Sequence, residues 1–128
     1  MSNNVKQSRP INLDLLTMHF PIPAIASILH RISGVVLFLS LAPLLWLLNQ
    51  SLASPSQFAE VQIWLSYWWM KLILWSVLTA TAYHICAGVR HLIMDLGFGE
   101  SLKAGKQSAI IAIGIALVLS VLGGIWLW

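Results

Sequence analysis

Apolar residues run almost unbroken through three stretches of the chain, about 24–48, 63–93 and 108–128. Crossing a bilayer core takes roughly 20 mostly apolar helical residues, and each stretch is long enough. Two polar connections separate them. Residues 49–62 contain Ser54-Pro55-Ser56, a turn signal, and residues 95–107 carry Gly97, Gly99 and Gly105 among charges. Residues 1–23 read as a polar N-terminal segment. The pattern predicts an all-α membrane protein: one domain over residues 1–128, with three transmembrane helices and no internal repeat. The first 19 residues lack the apolar core of a cleavable signal, so none is expected.

Composition agrees. Hydrophobic residues make up 59% and charged residues 9%, against about 25% charge in a soluble domain. An ordinary water-soluble fold and a nucleic-acid-binding domain are excluded, because the outer surface must face lipid. The net charge of +3 sorts by side. Lys6, Arg9, Arg31, Arg90, Lys103 and Lys106 fall on one side of the three spans, and Lys71 falls toward the other. By the positive-inside rule the N-terminus and second loop are cytoplasmic and the C-terminus periplasmic. Trp46, Trp64, Trp68, Trp69, Trp126 and Trp128 gather near the opposite ends of the spans and read as an interfacial belt. Lys71 lies about one turn inside that belt and can snorkel to the headgroups. The single cysteine, Cys86, forbids an intrachain disulfide.

Polar side chains inside a span are expensive and tend to face a bundle interior or a ligand. Two groups stand out. Ser27, His30 and Arg31 open the first span. His30 and Arg31 lie about 60° and about 40° either side of Ser27, so all three share a face. Taken alone, this group also fits a snorkelling arginine after a serine cap. Ser33 and Gly34 follow as small residues suited to close helix packing. His84, Gly88, His91 and Asp95 close the second span in one narrow stripe, within about 40° of His84. His84 is roughly 9 Å deeper than Arg90 along the axis. An imidazole at that depth needs a partner, either a neighbouring helix or a ligand. Gly88, one turn on, leaves room for a flat ring. Tyr83, Cys86 and Met94 read as packing residues.

Both groups fall in the cytoplasmic half. An imidazole to ligate iron, with Arg31 and His30 toward two propionates, fits a haem b standing in the membrane. No other histidine on another helix is as deep as His84, so a second axial imidazole would come from another subunit. Ser27 and Arg31, a hydroxyl and a guanidinium one turn apart, can donate to the carbonyl oxygens of a quinone. Asp95 and His91 have haem-side or proton-uptake roles on this reading, and an ion pair or helix-end charge accounts for Asp95 equally well.

The motifs Arg9-Pro10 with Ser27-x-x-His30-Arg31-x-Ser33, and His84-x-x-x-Gly88-Val89-Arg90-His91-x-x-Met94-Asp95-x-Gly97, resemble the cytochrome b membrane-anchor subunits of succinate dehydrogenase, respiratory complex II. The resemblance covers essentially the whole chain. It looks closest to the enterobacterial type, which has a run like Asn12 to Leu15. It implies the larger of two anchors in a bacterial inner membrane, multi-pass, bundled with a second small anchor subunit that supplies the other axial histidine. An iron–sulfur subunit and a flavoprotein subunit complete the complex. One haem b, shared between the anchors, would sit on His84, with His30 and Arg31 at its propionates. Ubiquinone, the substrate, would meet Ser27 and Arg31, and Asp95 would lie near proton uptake. Electrons from succinate would pass through the iron–sulfur clusters to quinone, linking the tricarboxylic acid cycle to the respiratory chain, with no catalytic residue in this chain. A fumarate reductase-type anchor using menaquinone, a non-haem structural subunit of another membrane complex, and a small proton-conducting subunit are the competing readings.

Overall fold

The computed structural model describes residues Phe20–Trp128. Lys6, Arg9-Pro10, the Asn12 to Leu15 run and His19 lie outside the described residues. Four helices follow in order: α1 Ile22–Ala53, α2 Pro55–Ser66, α3 Trp68–Asp95 and α4 Leu102–Leu127. Three of them, α1, α3 and α4, are long and apolar enough to cross a membrane. The protein is an all-α membrane helical bundle.

The first connection is itself largely helical. α1 runs on past Leu48 and through Pro43 to Ala53. It stops at Ser54, whose backbone is extended (φ −164°, ψ 162°). The pyrrolidine ring of Pro55 disfavours the helical region for the residue before it. Ser54 then caps α2, accepting from the Gln57 N–H at 3.2 Å, while Pro55 takes the first turn, where an N–H is not needed. α2 is amphipathic: Phe58, Val61 and Leu65 share one side, and Gln57, Glu60 and Gln62 are polar. Val61 is buried. A second break falls at Tyr67 (φ −68°, ψ 136°). The membrane-crossing helix therefore starts at Trp68, not near Ile63. No glycine or proline marks this corner, and the run of aromatics across it keeps hydropathy high.

The turn between α3 and α4 follows directly from its glycines. Gly97 (φ +86°) occupies the left-handed region after the helix cap. Its N–H donates to the Met94 carbonyl at 2.9 Å and that of Phe98 to the Ile93 carbonyl at 3.2 Å. This pair of bonds is the Schellman stop. Ser101 opens α4 by accepting from the Ala104 N–H at 3.2 Å. α4 thus begins a turn and a half before residue 108, and Lys103 and Lys106 lie on the helix itself.

Lipid offers no hydrophobic drive between helices, so close approach and interhelical hydrogen bonds hold such a bundle. α4 buries Gly105, Ala109, Ala112, Ala116 and Ser120, a stripe of small side chains. Ala87 and Arg90 are the buried residues of α3. Trp75 Nε1 donates to the Ser120 carbonyl at 2.8 Å, and the Thr79 and Ser120 hydroxyls pair at 2.7 Å. Near the α3–α4 loop, Arg90 Nε donates to Ser108 Oγ at 3.0 Å and an Arg90 terminal nitrogen to the Gly105 carbonyl at 3.2 Å. The guanidinium clamps α3 to α4. Among the described residues no large side chain is fully buried.

The aromatic residues collect at one end. Trp46 of α1 stacks on Trp64 of α2 (5.7 Å, 5°), Tyr67 on Trp69 (6.0 Å, 9°), and Lys71 Nζ lies 5.8 Å from the Trp128 ring. Lys71 thus meets the aromatic end through a cation–π contact.

If the hydroxyl pair contributes to α3–α4 association, Thr79→Val and Ser120→Ala should be non-additive. A double-mutant cycle by detergent-titrated unfolding should return about 0.6 kcal/mol, and at most ~1.7 kcal/mol.

Candidate functional site

The site forms where α1 crosses α3. Tyr83 Oη donates to the Ala26 carbonyl at 2.8 Å, pinning the two helices beside Ser27. One turn along, two glycines let them approach further. A Cβ on Gly34 would lie 3.1 Å from His84 Cε1, and one on Gly88 would lie 3.4 Å from His30 Nε2. Each helix thus withholds a side chain where the other presents an imidazole. Gly88 makes room first of all for His30, a ring of this same chain.

Three histidines meet in that space. The His30 ring stacks on His84 at 4.2 Å and 17°, and lies 5.1 Å from His91, tilted by 51°. His84 Nδ1 is 3.0 Å from Ser33 Oγ and 3.2 Å from the His30 carbonyl oxygen. Ser33 Oγ in turn donates to that carbonyl at 2.8 Å. The serine's one proton is therefore committed, so its oxygen accepts from His84. This network assigns the Nδ1–H tautomer to His84 and leaves Nε2 with a free lone pair. The neighbouring-helix partner that a deep histidine needs is thus present, but on one ring nitrogen alone.

The other ring nitrogens differ. His84 Nε2 makes no hydrogen bond among the described residues, and His84 as a whole is half-buried. His30 Nε2 is sealed and has no partner there. Leaving such an atom unpaired costs about 1–3 kcal/mol.

Ser27 and Arg31 sit on α1, Ser27 half-buried and Arg31 exposed. Ser33, Ser40 and Ser51 turn their hydroxyls back to the carbonyl three residues earlier. The Ser27 hydroxyl forms no such bond among the described residues. On helical wheels drawn from the α1–α3 contacts, Ser27 and Arg31 turn to the same flank of the pair as His84, Gly88 and Asp95. Asp95 is the exposed last residue of α3. The structure therefore joins His30, His84 and His91 in contact and sets Ser27, Arg31 and Asp95 along the same flank. Arg90 is withdrawn to the opposite task of binding α4. Ser33 is the residue of the site to which sequence reasoning gave no chemistry. Its signal was its position one turn after His30 on the same face. Among the described residues no three His, Cys, Asp or Glu side chains converge as a ligand set. A metal at His84 would need its remaining donors from elsewhere.

Comparison with known proteins identifies the family. The profile of the succinate dehydrogenase/fumarate reductase transmembrane subunit family matches residues 5–123. The succinate dehydrogenase cytochrome b556 subunit of Coxiella burnetii is 47% identical over 121 residues, covering 94% of this chain and 97% of that protein. The cytochrome b556 subunit of Paracoccus denitrificans is 32% identical over 122 residues, covering 95% and 94%. The cytochrome b560 subunit of Reclinomonas americana is 30% identical over 127 residues, covering 95% and 88%. The chain belongs to the succinate dehydrogenase/fumarate reductase transmembrane subunit family.

The two glycines of the crossing should respond differently to alanine. Gly88→Ala adds its methyl at ordinary contact distance and gains helix propensity of up to ~1 kcal/mol. Gly34→Ala drives a carbon into His84 and should lose about 1–3 kcal/mol against it. Thermal unfolding in detergent should show Gly34→Ala melting below Gly88→Ala.

Proposed function

We propose that this chain is the cytochrome b anchor subunit of a succinate dehydrogenase in a bacterial inner membrane. It would give one axial ligand to haem b and part of a ubiquinone-reducing site. The observation that carries the reading is His84: its Nδ1 is held by Ser33 and the His30 carbonyl of α1, and its Nε2 has no hydrogen-bond partner among the described residues. A metal-bound histidine commonly donates its other nitrogen to a carbonyl or similar acceptor, which fixes the tautomer and raises ligand basicity.

The surrounding residues fit a haem. The sealed His30 Nε2 lacks, among the described residues, a partner that a propionate could supply, while Gly34 and Gly88 make room for the His84 and His30 rings themselves. His30 and Arg31 would hold the propionates. The second axial imidazole would come from the smaller anchor subunit. When bound, the haem supplies a one-electron store beside the quinone.

The chain's own part in quinone reduction is binding and electrostatics. The Ser27 hydroxyl donates to one quinone carbonyl oxygen. The Arg31 guanidinium donates to the same headgroup and stabilises negative charge on its oxygen. Asp95 and His91 would pass protons inward from water, Asp95 through its carboxylate. The side bearing Ser27, Arg31 and Asp95 would be cytoplasmic, so the iron–sulfur subunit, fed by the flavoprotein, would dock there. The family includes fumarate reductases as well. The names of the most similar relatives support succinate oxidation.

Two experiments on the intact complex test this. His84→Leu should remove the b-type α-band from the reduced-minus-oxidised spectrum while the subunit still inserts; unchanged haem content would take His84 out of the ligand role. Ser27→Ala and Arg31→Ala should each lower succinate–quinone turnover at least tenfold, about 1.4 kcal/mol. Succinate oxidation with an artificial dye should persist in both. Normal quinone turnover would assign the headgroup donors elsewhere.

A further inference from the structure

We infer that Ser33 is a positioning residue for His84, fixing the ring's tautomer, its plane and its strength as a ligand through the hydroxyl rather than through packing. The inference rests on the reading of His84 as an axial ligand. Ser33 is buried, with 6% of its surface exposed, in the α1–α3 crossing. Its hydroxyl proton is directed to the His30 carbonyl at 2.8 Å, so toward His84 it presents a lone pair only. Two oxygens, Ser33 Oγ at 3.0 Å and the His30 carbonyl at 3.2 Å, converge on one ring nitrogen. The carbonyl can only accept, and the Ser33 hydroxyl, directed to that same carbonyl, turns its lone pair to the ring. The opposite tautomer would set a nitrogen lone pair against both, which leaves Nε2 as the nitrogen free to bind a metal.

The ring is also held against rotation. Its edge at Cε1 meets the Gly34 backbone, and its face lies against His30 at 4.2 Å. Contact on the edge and face limits the ring's position, whereas only the oxygens at Nδ1 set its donor character. A hydrogen bond accepted from Nδ1–H raises electron density at Nε2.

A pair of variants of nearly equal shape separates hydroxyl from volume. In the intact complex, Ser33→Thr retains the hydroxyl and Ser33→Val does not. Ser33→Thr should keep haem content, haem midpoint potential and the low-spin ferric resonance signal at wild-type values. Ser33→Val should weaken haem retention about tenfold, the usual scale for losing an outer-shell partner. Its resonance signal should move. If the tenfold falls on one oxidation state alone, the one-electron midpoint shifts by about 59 mV. Ser33→Ala, which removes the hydroxyl and adds no bulk, should follow Ser33→Val and serves if the larger side chains prevent assembly. Equal behaviour of Thr and Val, or a Ser33→Ala variant with wild-type potential and resonance signal, overturns the inference. A His84→Leu complex with normal haem would instead remove the axial-ligand reading beneath it.

Discussion

The approach of α1 to α3 at Gly34 and Gly88 is the constraint on which the rest depends. Because Gly34 lacks a side chain at the crossing, His84 can reach the backbone of α1, while His30 lies beside Gly88 with space for little more than a methyl. A membrane interior gives no solvent to satisfy these rings, so they satisfy one another or wait for a ligand. Moving either helix outward by the width of a methyl group would part Nδ1 from both oxygens that hold it. The geometry of the candidate site is thus a consequence of helix packing, which among the described residues leaves His30 Nε2 sealed and without a hydrogen-bond partner.

α3 and α4 are joined by different means. Their contact has small side chains along its length, with polar bonds toward both ends: Trp75 and Thr79 to Ser120 at one, Arg90 to Gly105 and Ser108 at the other. The histidine cluster thus belongs to the α1–α3 crossing and the guanidinium clamp to the α3–α4 contact. The division explains why two cationic residues close in sequence to the site differ. Arg31 is exposed and available to an anion, whereas Arg90 is enclosed by α4.

Much of this was legible in the residues. Hydropathy gave the three crossing helices, because each needs a run of apolar residues that few other structures tolerate. The His84, Gly88, His91 stripe followed from helical spacing, and the aromatic end from tryptophan positions. What failed to show depended on how helices turn toward each other. His30 was read with Arg31 on one face, but its ring belongs to the α3 cluster. Arg90 counts in the sequence only as one of the positive charges on one side of the spans, because a charge in sequence does not reveal that a neighbouring helix will offer a carbonyl and a hydroxyl. The break at Tyr67 was hidden by Trp64, Trp68 and Trp69, which make a corner as apolar as a span. Ser33 looked like a spacer, since small size and a hydrogen-bonding role are indistinguishable until the partner helix is in place.

The near absence of large buried side chains carries a consequence for how the subunit comes into being. With contacts built from alanine, glycine and serine, a solitary copy surrenders little when its helices drift apart. Its durability must be lent by neighbours and by whatever the His84 imidazole captures.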